Sequence, residues 1–218
     1  MLSGFYNLLE NIKNTKLKHF IFASTSSVYG NSNSAPFKET DDTSKPVSFY
    51  AASKKINEIM AYPYSLNYNL PMTGLRFFTV YGPFGRPDMA LFKFVRNIIS
   101  NRPIDLYNKG NHERDFTYID DVTNAIIGVL NKAPKSKEPF NILNIGSDNP
   151  KKLSNFIKII ETKLRKKGKK NRLKFQIGDV KKTHANIKKI KKLINYSPST
   201  NLTNGINNFI DWYKKFYN

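Results

Sequence analysis

The spacing of apolar residues changes several times along the chain, and each change predicts a new structural element. In 4–13, apolar residues recur at positions i, i+3, i+4 and i+7, the pattern of a helix with one buried face. Residues 19–23 form a short apolar run between polar flanks, which is typical of a strand buried on both faces. The same criteria predict strands at 72–78 and 140–145, and helices at 48–68, 88–101, 119–131, 153–167, 184–194 and 203–217.

Strands and long helices alternate over the first 150 residues. Such alternation requires crossover connections, which place neighbouring strands parallel and helices on both faces of the sheet. The predicted fold class is therefore α/β, with a mainly parallel sheet. After Pro150 the composition changes and the predicted elements are helices, so we expect a smaller, mostly helical C-terminal part.

Composition excludes several classes of protein. The 218 residues contain no cysteine, which excludes disulfides and thiolate chemistry, and the three scattered histidines predict no metal site. No apolar run approaches the ~18–20 residues that span a bilayer. Residues 1–18 do not resemble a signal peptide. We therefore expect a soluble, cytoplasmic protein with no membrane partner.

Charge is distributed unevenly along the chain. The chain carries 36 basic and 16 acidic residues, a net charge of +20, and the segment 151–192 holds 17 and 2 of them. A basic segment can bind nucleic acid or another anionic surface. This segment contains only two aromatic residues for base stacking, Phe156 and Phe175, and lysine, asparagine and isoleucine are abundant throughout the chain. A compositional bias is therefore favoured over nucleic-acid binding.

Polar residues near the predicted strand ends are candidates for chemistry. The first strand runs into the hydroxyl-rich segment 24–30, and open α/β sheets bind ligands at the carboxyl ends of their strands. Tyr50 and Lys54 share one face of the next helix, where a lysine ammonium favours the deprotonated phenol of a general base. The loop after the second strand carries Thr79 and Arg86, and arginine can bind a carboxylate or phosphate through two hydrogen bonds. Each feature alone also fits an ordinary loop or a solvated helix face.

Taken in this order, the hydroxyl-rich segment, the Tyr50–Lys54 pair and the loop with Thr79 and Arg86 resemble the extended short-chain dehydrogenase/reductases. This is the group of nucleotide-sugar epimerases and dehydratases. The resemblance covers essentially the whole chain and extends to several further motifs. These are Arg114-Asp115-Phe116-Thr117-Tyr118-Ile119-Asp120-Asp121, Asn144-Ile145-Gly146, Gly178-Asp179-Val180 and the terminal helix that contains Trp212.

This resemblance implies a domain organisation and a role for individual residues. Residues 1–82 would be the remaining part of a doubly wound, Rossmann-like domain that lacks its first strands. Residues 83–218 would mainly bind substrate, with 119–146 returning to the sheet. The implied roles are catalysis for Thr25, Tyr50 and Lys54, substrate binding for Ser26, Ser27, Thr79, Arg86, Arg114 and Asp179, and binding of the cofactor NAD for Tyr50, Lys54 and Phe77.

Within this group the residues favour an epimerase. Dehydratases of the family carry Asp and Glu after the catalytic threonine, where this chain has Ser26 and Ser27. Segment 74–90 closely resembles UDP-glucuronate 4-epimerases, in which the equivalents of Ser27, Thr79 and Arg86 hold the sugar carboxylate. The implied activity is NAD-dependent 4-epimerisation of a UDP-sugar, UDP-glucuronate to UDP-galacturonate, through a 4-keto intermediate.

The glycine-rich dinucleotide fingerprint of the family is not formed by any of the 11 glycines of the chain. In a family member, roughly 100 residues with one βαβαβ half of the fold would come first. We therefore expect the carboxyl-terminal two thirds of such an epimerase, a homodimer in the intact fold, with a separate chain as a possible source of the other half. The alternatives are a non-catalytic remnant that binds nucleotide sugar weakly, and a basic protein that binds anions or RNA through 151–192.

Overall fold

The computed structural model describes residues 2–32, 34–176 and 178–217. Two 3-10 helices, Ser26–Tyr29 and Tyr107–Gly110, follow the first and fourth strands. In chain order the other elements are α1 (Leu2–Ile12), β1 (Phe20–Thr25), α2 (Phe49–Asn67), β2 (Met72–Phe77), β3 (Thr79–Tyr81), α3 (Ala90–Ile99), β4 (Ile104–Leu106), β5 (Glu113–Arg114), β6 (Phe116–Tyr118), α4 (Ile119–Leu130), β7 (Phe140–Ile145), β8 (Lys151–Lys152), α5 (Leu153–Leu164), β9 (Lys170–Arg172), α6 (Lys188–Ile194) and α7 (Leu202–Tyr217).

Strand β2 forms the centre of a three-stranded parallel sheet in the order β1–β2–β7. Both neighbours pair with β2 along its whole length. A Cβ atom at Gly74 would lie 2.7 Å from Ile142 and 2.8 Å from Phe22, so glycine lets the adjacent strands carry large side chains there. Within the described residues β1 pairs on this one side only and is an edge of the sheet. The predicted α/β class with a parallel sheet is confirmed.

Side chains alternate between the two faces of the sheet along each strand, so both faces carry apolar side chains. Helices cover both of these faces. On one face, Phe22 of β1 and Met72 of β2 pack with α1 and α2. On the opposite face, Leu75 of β2 and Leu143 of β7 pack with α4 and α6. The carboxyl ends of the strands are left open between these layers, and the candidate site lies there.

A second core joins α3, α5 and α7 to the short parallel pair β3–β6. Phe116 of β6 stacks on Phe156 of α5 with ring centroids 4.3 Å apart, and Phe209 of α7 is buried in the same cluster. Strand β3 begins two residues after β2 ends, so this second core is attached to the open edge of the central sheet. No helix in the described ranges combines the length and the hydropathy needed to cross a membrane.

Some boundaries differ from the predicted ones for local reasons. Helix α5 ends at Leu164, because Arg165 adopts a left-handed conformation with φ 52°. Helix α6 begins at Lys188 and not at 184, since Ala185 instead forms a β-bridge with Phe37. The short strands β3, β4, β5, β6, β8 and β9 are not predicted from the sequence, because a segment of two or three residues carries no measurable periodicity.

Candidate active site

Helix α2 presents Tyr50 and Lys54 near its first turn. The helix begins after Ser48, whose side chain accepts a hydrogen bond from the backbone N–H of Ala51 at 3.1 Å. Lys54 Nζ donates to the backbone carbonyl of Ala23 in β1 at 3.1 Å. Burial lowers the pKa of Lys54. Tyr50 is 49% exposed, so its ring faces open space while the neighbouring lysine is held against the sheet.

Three hydroxyl groups lie where β1 ends. Thr25 has extended backbone angles and caps the 3-10 helix that follows, with its Oγ1 accepting from the backbone N–H of Ser27 at 3.2 Å. The same hydroxyl donates to Ser27 Oγ at 3.2 Å. Ser26 is the residue between them and is half-buried. The sharp turn therefore presents this hydroxyl cluster at the carboxyl end of the strand.

Beneath these groups lies a buried ion pair between Glu58 of α2 and Arg76 of β2. Arg76 Nε donates to Oε1 of Glu58 at 2.9 Å and Nη2 donates to Oε2 at 2.8 Å, and both side chains are 3% exposed. Ser24 Oγ also donates to Glu58 Oε1, at 2.6 Å. The pair thus fixes α2 to both β1 and β2, one residue from Thr25.

The protonation of this network follows from its contacts. Burial would raise the pKa of Glu58, but the hydrogen bonds and charge of Arg76 outweigh it, and the pKa lies below its usual value. Arg76 Nη1 also donates to the hydroxyl of Tyr29 at 3.0 Å, and that hydroxyl donates to Asn144 Oδ1 at 2.6 Å. Burial raises the pKa of Tyr29 to about 12. Glu58 and Arg76 are therefore charged and Tyr29 is neutral at physiological pH.

A first cavity of about 370 Å³ lies between the N-terminal turn of α2 and the loop after β3. Tyr50, Thr79 and Arg86 all line it. The Arg86 guanidinium forms a fork with Asp88, Nε to Oδ1 at 3.1 Å and Nη2 to Oδ2 at 2.9 Å. Their side chains are 74% and 64% exposed, so water screens this pair and a ligand carboxylate can exchange with Asp88.

A second cavity of about 280 Å³ adjoins the first, and Thr79 lines both. Arg114 Nη2 donates to Asp179 Oδ1 at 2.7 Å inside it. His112 is 5% exposed, and its Nε2 lies 3.1 Å from Asp179 Oδ2 without the geometry of a hydrogen bond. Burial, together with the positive charge of Arg114, lowers the pKa of His112. A charged arginine and a neutral histidine therefore share one carboxylate.

The structure brings some of the predicted site residues together and leaves others apart. Five of them line neither cavity: Thr25, Ser26, Ser27, Lys54 and Phe77. Phe77 is the last residue of β2 and packs against the core on the α4 side of the sheet. The two cavities collect Tyr50, Thr79 and Arg86 in one place and Thr79, Arg114 and Asp179 in the other.

Sequence reasoning missed the residues that hold the site in place. Glu58 follows Tyr50 and Lys54 at the same four-residue spacing, which places all three on one helix face. Arg76 is a charged residue within an otherwise apolar strand, and such a residue needs a buried partner. Read together, the two signals would have predicted the ion pair. His112 gave no such signal.

Parallel strands with two neighbouring cavities near their carboxyl ends, each lined by one arginine, define an α/β protein with a candidate ligand-binding site there. The chain belongs to the NAD dependent epimerase/dehydratase family, whose model matches residues 2–146. It is homologous to nucleotide-sugar epimerases, which are isomerases, and within them it is close to the UDP-glucuronate 4-epimerases.

Individual relatives place the chain more narrowly. "Protein CapI" of Staphylococcus aureus is 46% identical over 228 residues, covering 98% of this chain and 68% of that protein. A probable UDP-glucuronate 4-epimerase of Rhizobium meliloti is 41% identical over 232 residues, covering 99% and 68%. The chain therefore spans about two thirds of the length of these two relatives.

A solved structure gives the same result. The UDP-glucuronic acid 4-epimerase from Bacillus cereus, crystallised with UDP-glucuronic acid and NAD, superposes with a TM-score of 0.92 at 35% identity. The match covers 99% of this chain and 68% of that one. None of these relatives is described as a remnant or as a nucleic-acid-binding protein, so they lend no support to either alternative.

Proposed function

We propose that this chain provides the catalytic and substrate-binding part of an NAD-dependent 4-epimerase that acts on UDP-glucuronate. The observation that carries the proposal is the pair of neighbouring cavities that share Thr79, with Tyr50 and Arg86 in one and Arg114 in the other. A nucleotide sugar with a charged sugar needs one cation at the sugar and another at the diphosphate. The two arginines meet that need, and the likeness to UDP-glucuronate 4-epimerases supports it.

Each substrate group has a residue suited to it. The exposed fork of Arg86 would release Asp88 and accept the sugar carboxylate, with Thr79 beside it. Arg114 would bind the diphosphate, because burial leaves its charge poorly screened while Asp179 fixes its orientation. Asp179 would accept hydrogen bonds from the nucleotide ribose. Ser26 and Ser27, at the end of β1, would complete the contact with the sugar.

The proton transfer would be carried out by residues of α2 and β1. Tyr50, as phenolate, would remove the proton of the sugar 4-hydroxyl, and Thr25 would donate a hydrogen bond to the same oxygen. Lys54 would stabilise the phenolate electrostatically from its position against β1. Bound NAD would supply the hydride acceptor and donor. The 4-keto sugar would then rotate in the cavity, and Tyr50 would return the proton to the inverted alcohol.

The residues present fit one end of NAD. A tyrosine hydroxyl and a lysine ammonium, four residues apart on α2 and beside the open edge of β1, suit a nicotinamide ribose, and Phe77 ends the adjacent strand. A dinucleotide pyrophosphate is bound by a glycine-rich turn at a helix N-terminus. The 218 residues do not contain that turn. We therefore expect it on a further segment that pairs with the open edge of β1.

A reconstitution experiment tests this function. The chain is co-expressed with the matching N-terminal segment of the Bacillus cereus enzyme, and UDP-glucuronate with NAD is followed for formation of UDP-galacturonate. We expect turnover by the complex. The proposal would be contradicted by a stoichiometric complex that binds NAD and UDP-glucuronate yet converts neither sugar into the other.

The same assay tests the role of Arg86. We expect R86K to raise the KM for UDP-glucuronate by about tenfold, because lysine cannot form the two-point contact with a carboxylate. Arg96 on α3 lines neither cavity, so R96K is the matched control and should leave the KM unchanged. An unchanged KM in R86K would remove Arg86 from the proposed substrate contacts.

We further propose that the working enzyme is a homodimer that pairs through α1 and α2. These helices pack together and yet leave a group of large apolar side chains exposed on their outer surface. Such a group is typical of a surface that is covered by another protein. Its members are Tyr6, Leu8, Ile56, Ile59, Tyr62 and Leu66.

A further inference from the structure

A third cavity, of about 490 Å³, lies between β5–β8, the β4–β9 pair and the N-terminal half of α5. We call it the basic cleft. Leu106 and Ile157 contribute apolar surface, and Asn111 and Ser154 contribute polar groups. Its six cationic side chains come from several separate segments of the chain: Lys109, Lys152, Lys170, Arg172, Lys181 and Lys182.

Most of this charge has no counter-charge within the protein. Glu113 is the one carboxylate in the lining, and it pairs with Lys182 at 3.2 Å. Lys170 pairs with Glu161 at 3.1 Å from outside the cleft. The remaining four cations, Lys109, Lys152, Arg172 and Lys181, form no ion pair within the described residues.

The fold, and not merely the composition, gathers these charges. Segment 151–192 holds 17 basic residues, of which five reach the cleft, while Lys109 joins them from far earlier in the chain. Lys188, Lys191 and Lys192 of α6 are exposed and lie outside the cleft. Like charges held around a concave surface repel one another and focus a positive potential within it. A bound anion relieves that repulsion.

We propose that the basic cleft binds a multivalent phosphate anion. Three or more cations with amide and hydroxyl donors suit a chain of phosphoryl groups, and the volume admits a triphosphate. A free phosphate chain and the triphosphate of a nucleotide share this chemistry. The cleft adjoins the second cavity of the active site, since His112 lines both, but its cations are different residues.

Calorimetric titration of the full chain with tripolyphosphate and with ATP tests the proposal and separates the two sources. We expect K152Q/R172Q/K181Q to weaken tripolyphosphate binding by about tenfold or more, since it removes three of the unpaired cations. The matched control, K188Q/K191Q/K192Q, removes the same charge from α6 and should change the affinity by less than about twofold. Tighter binding of ATP would identify a nucleotide as the preferred source.

Three results would overturn the proposal. Equal weakening by the two triple variants would show an effect of net charge alone. Loss of tripolyphosphate binding in R114Q, or its displacement by UDP, would place the anion in the active site. Binding of an oligouridylate without binding of tripolyphosphate would indicate an RNA surface. Circular dichroism of each variant verifies that the fold is intact.

Discussion

Tyr50, Lys54 and Glu58 occupy one face of α2 at four-residue spacing, and each has a different environment. Tyr50 opens into the first cavity, Lys54 contacts the backbone of β1, and Glu58 is buried in its ion pair with Arg76. The most buried of the three thus anchors the helix that carries the other two. Substitution of the anchor should affect stability first and chemistry second.

The substitution E58Q should destabilise the protein by about 3 kcal/mol at pH 7, because it leaves the buried Arg76 without a counter-charge. Chemical denaturation measures this loss. E58M/R76M should recover most of the stability, since it removes both charges together. K55Q is the control. Lys55 lies 3.4 Å from Glu58 at the helix surface, and its substitution should leave the free energy of unfolding nearly unchanged.

The pH dependence of the same pair has a definite sign. The pKa of Glu58 is lower in the folded protein than in the unfolded chain, so its contribution is present above the unfolded value of about 4.3. It is lost as the pH falls through the folded pKa. We expect E58Q to show a shallower loss of stability than the parent protein in denaturation curves measured below pH 5. Parallel curves for the two proteins would contradict this assignment.

Close packing of the central sheet makes a prediction about β2. G74A should destabilise the protein by about 1–3 kcal/mol, because the new methyl group would lie within 3 Å of Ile142 and Phe22. The matched control is G4A on α1, where a Cβ atom meets nothing within 4 Å. That substitution should stabilise the helix by up to about 1 kcal/mol. In thermal unfolding, the melting temperature should fall for G74A and rise for G4A if this packing is correct.

The main helices and sheet strands were predictable from sequence, whereas the short elements were not. Helix α2 and strands β2 and β7 follow from apolar spacing and from the Ser48 cap within a residue or two. The pairs β3–β6 and β4–β9 depend on partners far away in the chain, which periodicity does not report. Tyr50 and Lys54 were predicted as site residues from their spacing and the family resemblance, but the two neighbouring cavities that share Thr79 depend on three-dimensional packing.

The exposed apolar side chains of α1 and α2 make a prediction for the whole assembly. I59E should convert a dimer to a monomer, because it places a charge within the proposed interface. I127E on α4 is the matched control, since Ile127 and Ile59 are both 58% exposed. Analytical ultracentrifugation distinguishes the monomer expected for I59E from the dimer expected for I127E. Equal sedimentation of I59E, I127E and the parent protein would remove α1 and α2 from the interface.

At the scale of the whole molecule, the high net positive charge acts on any ligand that approaches the cavities. The second cavity and the basic cleft share His112, and the second cavity shares Thr79 with the first, so the three proposed anion sites are neighbours. The positive field should speed the approach of an anionic nucleotide sugar, and the rate should fall as salt is added.

The substitution Y50F in the reconstituted enzyme tests the proposed chemistry most directly. Removal of one hydroxyl from a half-exposed side chain should leave the fold and the Kd for UDP-glucuronate unchanged. It should lower the rate of UDP-galacturonate formation by about a hundredfold or more, since no general base remains. Y217F, at the end of α7 and 50% exposed, lines neither cavity, so it is the control and should retain full activity. Turnover by Y50F at the rate of the parent enzyme would contradict the proposed role of this site.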